Sequence, residues 1–294
     1  MSTTTLHRPK PRSLTTRPSR SAGAVGRGVL WHVVMIVVAA AAVAPLVYMV
    51  LTSLRPQATA FSGPIVPDQF SGSGYDFAWN DLQIWRNFFN SVLITGVTLA
   101  LTIAAATLAG YAFSRIGFVA RNLLFFVVTS ALFLPGVATL IPVYLELQAF
   151  GLLGSRLGLI LVYTAGGVSF SLFLMRTFFD ALPNELSEAA RLDGATELQI
   201  FWRVMLPLSA PGIATVAIFQ MISVWNELLF ASALISDPAS RPIQPVANSL
   251  IGQYGTNWPA LTATMTLTAL PMVIAYVVFQ RWFVAGLTAG AVKA

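Results

Sequence analysis

Six long apolar runs separated by polar stretches organise the chain: residues 29–54, 87–113, 121–147, 157–179, 207–235 and 259–284. Each exceeds the roughly 20 helical residues, rising about 1.5 Å apiece, that cross a hydrocarbon core about 30 Å thick. None alternates polar and apolar positions, as the strands of a membrane barrel would. Only helices or closed barrels satisfy the backbone in lipid. The pattern therefore predicts an all-α polytopic membrane protein with six transmembrane helices. Small residues recur inside the runs (Gly96, Ala104, Ala105, Ala106, Gly110, Gly166, Gly167), as close helix–helix packing favours.

Composition agrees with this reading. The chain is 56% hydrophobic and only 10% charged, whereas a soluble domain carries about a quarter charged residues to cover a wet surface. It has no cysteine, which excludes disulfides and thiolate metal sites. Its two histidines, His7 and His32, argue against an imidazole metal site. No metal-binding and no catalytic residue is expected. The net charge of +6 would suggest nucleic acid in a soluble protein. Here Arg8, Lys10, Arg12, Arg17, Arg20 and Arg27 crowd the first 28 positions, so the charge reads as a topology signal and no nucleic-acid partner is expected.

Residues 1–28, rich in Ser, Thr, Pro and Arg, read as a disordered cytoplasmic tail. The first apolar run is longer than the 7–15-residue core of a signal peptide, which makes it a retained span. With the N-terminus inside, thirteen of the seventeen Lys and Arg residues fall on the inner side. Only Arg55, Arg86, Arg156 and Arg241 fall outside. Both termini are thus expected in the cytoplasm, flanking a transmembrane domain at 29–285, with 286–294 as a C-terminal tail. The long segment from Arg55 to Arg86 is expected to fold over the outer surface.

The stretch 180–207, DALPNELSEAARLDGATELQIFWRVMLP, holds five of the eleven acidic residues. Pro183 can begin a helix and Asn184 offers a capping side chain. Leu186, Ala189, Ala190 and Leu192 give a small-residue face, and Gly194 supplies the backbone freedom that ends a helix. Thr196 with Gln199 forms a capping-box pattern for a second short helix. This is a cytoplasmic helix–turn–helix too polar to insert. It could lie on lipid headgroups, but Glu185, Glu188, Asp193 and Glu197 would then face an anionic leaflet, and a protein partner fits the charge better.

These residues resemble a known family. EAARLDGATELQIFWRVMLP is similar to the EAA signature of ABC-importer permeases: Glu188, Ala189, Ala190, three residues, Gly194, nine residues, then Val204, Met205, Leu206 and Pro207. Val204 stands where the signature has isoleucine. Trp225, Asn226 and Glu227 resemble the Trp-Asn-acid element of the carbohydrate-importer permeases of the six-span maltose type. The ending FVAGLTAGAVKA resembles the tail of that group, with Ala294 where glycine is common.

The resemblance implies the type I permease fold and a coupling role for Glu188, Ala189, Ala190, Asp193, Gly194, Val204, Leu206 and Pro207. It implies a tail contact with the ATPase near Gly290 and Lys293. The implied partners are a second homologous permease subunit, an ATP-binding subunit dimer, an extracytoplasmic solute-binding protein and membrane lipid. The implied cargo is a sugar or related solute, carried across the bacterial cytoplasmic membrane.

The only lysines, Lys10 and Lys293, stand outside any glycine-rich phosphate loop. ATP and Mg therefore belong to the partner ATPase, and this chain is expected to bind no cofactor and to be no enzyme. Trp225, Asn226 and Glu227 are the candidate translocation-pathway residues. Glu227 has two readings: it lines a hydrated cavity, or it solvates a helix end near the outer headgroups. Trp202 and Trp258 read as interface anchors. The alternative class is an ion-coupled secondary transporter, which would leave the EAA segment unexplained.

Overall fold

The computed structural model describes residues 22–251 and 256–289, and every regular element among them is helical. It falls into two compact units, one ending at Tyr48 and one beginning at Met49. The first is the body of α1 (Ala22–Ser53), an apolar helix that begins seven residues before the predicted span. In the second unit α2 (Ser73–Asp76) precedes α3 (Ile84–Arg115), α4 (Arg121–Ser130), α5 (Gly136–Ala149) and α6 (Arg156–Asp180). Then come α7 (Asn184–Leu192), α8 (Glu197–Ile200), α9 (Leu206–Leu208), α10 (Ala210–Trp225), α11 (Leu229–Leu234), α12 (Ile243–Ser249) and α13 (Trp258–Ala289).

The faces of α3 show which solvent the fold is built for. Asn87, Asn90, Ser91, Thr95, Thr98 and Thr102 are buried, while Phe89, Leu93, Val97, Leu101 and Leu108 are exposed. Polar inside and apolar outside is the arrangement suited to hydrocarbon, where small and polar residues mediate helix contacts. Among the described residues the packing of α3 on α6 is the most extensive, α10 packs on both, and α13 packs on α10. A Cβ at Gly110 would stand 2.8 Å from that of Met175, so the α3 and α6 backbones meet there only because Gly110 lacks one.

Among the described residues four helices are long and apolar enough to cross a membrane, and six spans result if each of two bent pairs counts as one. The predicted third span is one of these pairs, bent by 105° between Phe133 and Gly136. Leu134 and Pro135 are extended there (ψ 119° and 128°). Proline disfavours the helical region in the residue before it and donates no hydrogen bond. The predicted fifth span is likewise not one rod. It bends by 72° where α9 meets α10 and breaks again at Asn226.

The segment after α1 is held by one cation. Arg55, only 3% exposed, donates to the carbonyls of Thr59, Ser62, Pro64 and Ile65. Gln57 ties the segment to the start of α13, donating to the Thr256 carbonyl at 2.9 Å and accepting from the Trp258 N–H at 3.0 Å. Hydrogen bonds from a charged donor contribute about 1.5–3 kcal/mol each. Arg55→Ala should therefore release this loop alone. Limited proteolysis of the solubilised protein should gain a fast cleavage site within residues 56–71, with the spans still protected.

Candidate functional site

The predicted helix–turn–helix is present as α7, a turn at Gly194, and α8. Gly194 has φ +80°. Its N–H donates to the Arg191 carbonyl and the Ala195 N–H to that of Ala190, which closes the end of α7. The capping box at Thr196 forms in both directions, with Thr196 N–H to Gln199 Oε1 at 2.8 Å and Gln199 N–H to Thr196 Oγ1 at 3.3 Å. The other cap expectation fails. Pro183, which has no capping side chain, is the N-cap of α7, and Asn184 is already its first helical residue, with its Oδ1 accepting from Arg115 of α3. Arg115 also donates to the carbonyls of Phe179 and Leu182, taking up acceptors left free where α6 ends.

Two side-chain contacts hold the turn, one within it and one to the bundle. Arg191 pairs with Glu197 at 2.6 Å, joining α7 to α8 across Gly194. The Tyr111 hydroxyl of α3 donates to the other Glu197 oxygen at 2.8 Å. The Glu197 carboxylate raises the pKa of the Arg191 guanidinium above its usual value. Beneath these contacts Ile200, Phe201 and Met205 are buried with Tyr111, Met175 and Phe179, and Ala190, Ala195 and Leu206 pack alongside.

The outer face of the loop is open. Glu185, Glu188 and Asp193 are exposed, as are Ala189 and Pro207, and Leu192 and Leu198 expose 90% and 64% of their surface. Val204 is half-buried. The Leu192 placement corrects the expected small-residue face. Ala190 and Ser187 turn inward, while Leu192 projects outward. Trp202 is exposed and sits edge-on to Phe201.

The three candidate pathway residues separate. Trp225 is buried and packs on Phe88, and its Nε1 donates to the Thr268 carbonyl at 3.1 Å. Here the indole has both an apolar nest and an acceptor. The Glu227 carboxylate accepts from the Tyr163 hydroxyl and from the N–H groups of Phe230 (2.9 Å) and Ala231 (3.0 Å). It thus binds the first turn of α11. Asn226 alone faces open space, a cavity of about 300 Å³ that Gln244, Met265, Thr268 and Met272 also line. Gly290 and Lys293 lie outside the described residues.

Nothing in the sequence marks Tyr111, Arg115 or Gln244 as part of either site. Tyr111 is 86 residues from Glu197 and sits at the end of an apolar run, where no local pattern marks it.

The architecture defines a multi-pass helical membrane protein that carries a polar helical hairpin fixed to the ends of its longest-packed helices. The chain belongs to the family of binding-protein-dependent transport system inner membrane components, which it matches over residues 96–289. It is 34% identical over 258 residues to the diacetylchitobiose uptake system permease protein NgcG of Streptomyces coelicolor, covering 86% of this chain and 82% of that protein. It is 35% identical over 271 residues to the osmoprotective compounds uptake permease protein GgtD of Synechocystis, covering 89% and 91%. Its fold matches a chain of a bacterial ABC transporter that imports the acidic polysaccharide alginate. That match has a TM-score of 0.77 at 24% identity, covering 91% of this chain and all of the other.

The protein is accordingly a multi-pass inner-membrane permease subunit of an ABC importer. It is a transport component whose ATPase is a separate subunit. Membership of a binding-protein-dependent family sets aside the ion-coupled alternative.

Proposed function

We propose that this chain carries a sugar or related solute, pairs with a second homologous permease, and is driven by two copies of an ATPase that dock on its EAA loop. The ATPase would hold ATP and Mg, and an extracytoplasmic binding protein would deliver the cargo. The observation that carries the coupling role is the two-sided loop at 180–207. Glu188, Asp193, Leu192 and Leu198 are displayed outward, while Ile200, Phe201, Met205 and the Tyr111–Glu197 bond root the same loop in α3 and α6. Force applied to the outward face reaches the spans through packed side chains and not through a flexible linker.

Glu188, Ala189, Ala190, Asp193, Gly194, Val204, Leu206 and Pro207 are the coupling set, with Gly290 and Lys293 as tail contacts. The sugar assignment is supported by relatives whose names specify diacetylchitobiose and melibiose/raffinose/stachyose uptake.

Co-expression with the cognate ATPase and second permease should yield a stable complex that takes up radiolabelled disaccharide from liposomes only with ATP and the binding protein. Failure of the ATPase to co-purify would remove the coupling assignment. Reporters fused at residue 20 and after residue 294 should both report cytoplasm, and one near Ser73 the exterior. A C-terminal reporter outside would place the docking loop on the wrong side of the membrane.

A further inference from the structure

The break between α10 and α11 places a polar turn beside an open cavity on whose wall Asn226 and Met265 are exposed. Non-helical backbone is tolerated at membrane depth where protein buries it or where it lines a hydrated cavity. Here α10 ends at Trp225, the Asn226 N–H bonds back to the Ile222 carbonyl, and the chain turns before α11. From this turn Asn226 faces a cavity of about 300 Å³, opposite Gln244 of α12. The third wall is one stripe of α13, where Met265, Thr268 and Met272 recur at helical spacing.

The chemistry of this wall is specific. Asn226 Nδ2 donates to the Ile222 carbonyl at 2.9 Å, and Gln244 Nε2 reaches Asn226 Oδ1 at only 3.4 Å. Each primary amide has two N–H donors and an oxygen with two lone pairs, so both retain capacity of both kinds. Among the described residues, no ionisable side chain lines the cavity. The one acid nearby in sequence, Glu227, is engaged by Tyr163 and the first N–H groups of α11. Mixed donors and acceptors without charge suit hydroxyl groups, and the two methionine side chains offer a deformable apolar face to ring carbons. Among the described residues an acidic solute would find no cation here, and a basic solute no free carboxylate.

We infer that Asn226 and Gln244, with the Met265–Met272 face of α13, form a solute subsite on this chain selective for neutral polyhydroxylated solutes over their acidic counterparts. The inference rests on the sugar-importer reading above and adds to it the location of the contact and the charge of the cargo.

The test uses the complete complex in liposomes with its binding protein, and labelled maltose, diacetylchitobiose and a glucuronic-acid-containing disaccharide as probes. Because the chain has no cysteine, Gln244→Cys introduces a single thiol on it, and the partner subunits are used in cysteine-free form. The transported neutral disaccharide should slow its modification by a methanethiosulfonate reagent severalfold, and the acidic disaccharide should not. Asn226→Ala should lower uptake at saturating sugar by about tenfold, the loss of roughly one hydrogen bond, with subunit stoichiometry preserved. Neutral-sugar uptake without protection, uptake in Asn226→Ala equal to wild type, or equal protection by the acidic sugar would overturn the subsite alone. Absence of uptake of any sugar by the wild-type complex would overturn the sugar-importer reading with it.

Discussion

Gly194→Val is expected to disconnect transport from ATP hydrolysis while leaving the membrane domain intact. Gly194 sits at φ +80°, and an added Cβ would meet no atom within 4 Å. The strain is therefore in the backbone, not in a clash. A left-handed conformation costs an L-residue about 1–2 kcal/mol, and a β-branched residue is a genuine outlier there.

The chain can relieve this strain only by re-aiming α7 against α8, because α8 is pinned beneath by Ile200, Phe201 and Met205. That movement pulls on the Arg191–Glu197 pair and displaces Glu188 and Leu192 on the exposed face. Substrate-stimulated ATPase and uptake should fall together by about tenfold or more, since each 1.4 kcal/mol of misalignment is a factor of ten. Insertion and binding-protein affinity should persist. The order of severity should be Val, then Ala, then Asn, because Asn tolerates this conformation best after glycine. On the exposed face, Glu188→Lys should release the ATPase more completely than Glu188→Ala. Turnover and subunit stoichiometry of the purified complexes measure both series, and normal coupling in Gly194→Val would reduce the loop to a connector.

The parts of the fold that were legible in the sequence are those whose cause is local. A run of apolar residues long enough to cross a bilayer needs no partner to declare itself, and the Thr196–Gln199 box closes within three residues. Gly194 was legible for the same reason. The expected cap on α7 fails by one position: Pro183 is the N-cap, and Asn184 gives its oxygen to Arg115, 69 residues earlier. The bend at Leu134-Pro135 has a local cause that the sequence carries, a proline inside an apolar run, but its size of 105° does not follow from the sequence. Trp225, Asn226 and Glu227 adjoin in the sequence, and nothing local shows that their side chains part. The end of α10 falls inside the triplet and sends its three side chains to a core, a cavity and a helix terminus.

Glu227→Ala should be among the most destabilising single changes in the bundle. The carboxylate accepts three hydrogen bonds, from the Tyr163 hydroxyl and two N–H groups of α11. Tyr163 is 8% exposed and Ala231 fully buried, within the cluster that also holds Leu147, Leu159, Ile160 and Leu234. Removing the acceptor strands three donors where water has little access, at about 1–3 kcal/mol each. The loss is several kcal/mol in all, and in thermal unfolding of the detergent-solubilised complex it should appear as a drop of about 10 °C or more. Tyr163→Phe removes one donor along with its bond and should cost far less. Glu227→Gln keeps one acceptor oxygen and most of the shape, so its stability should fall between wild type and Glu227→Ala. If Glu227 serves the helix terminus, uptake across this series should follow the fraction of folded complex. A Glu227→Gln complex of wild-type stability that transports nothing would instead return Glu227 to the solute pathway.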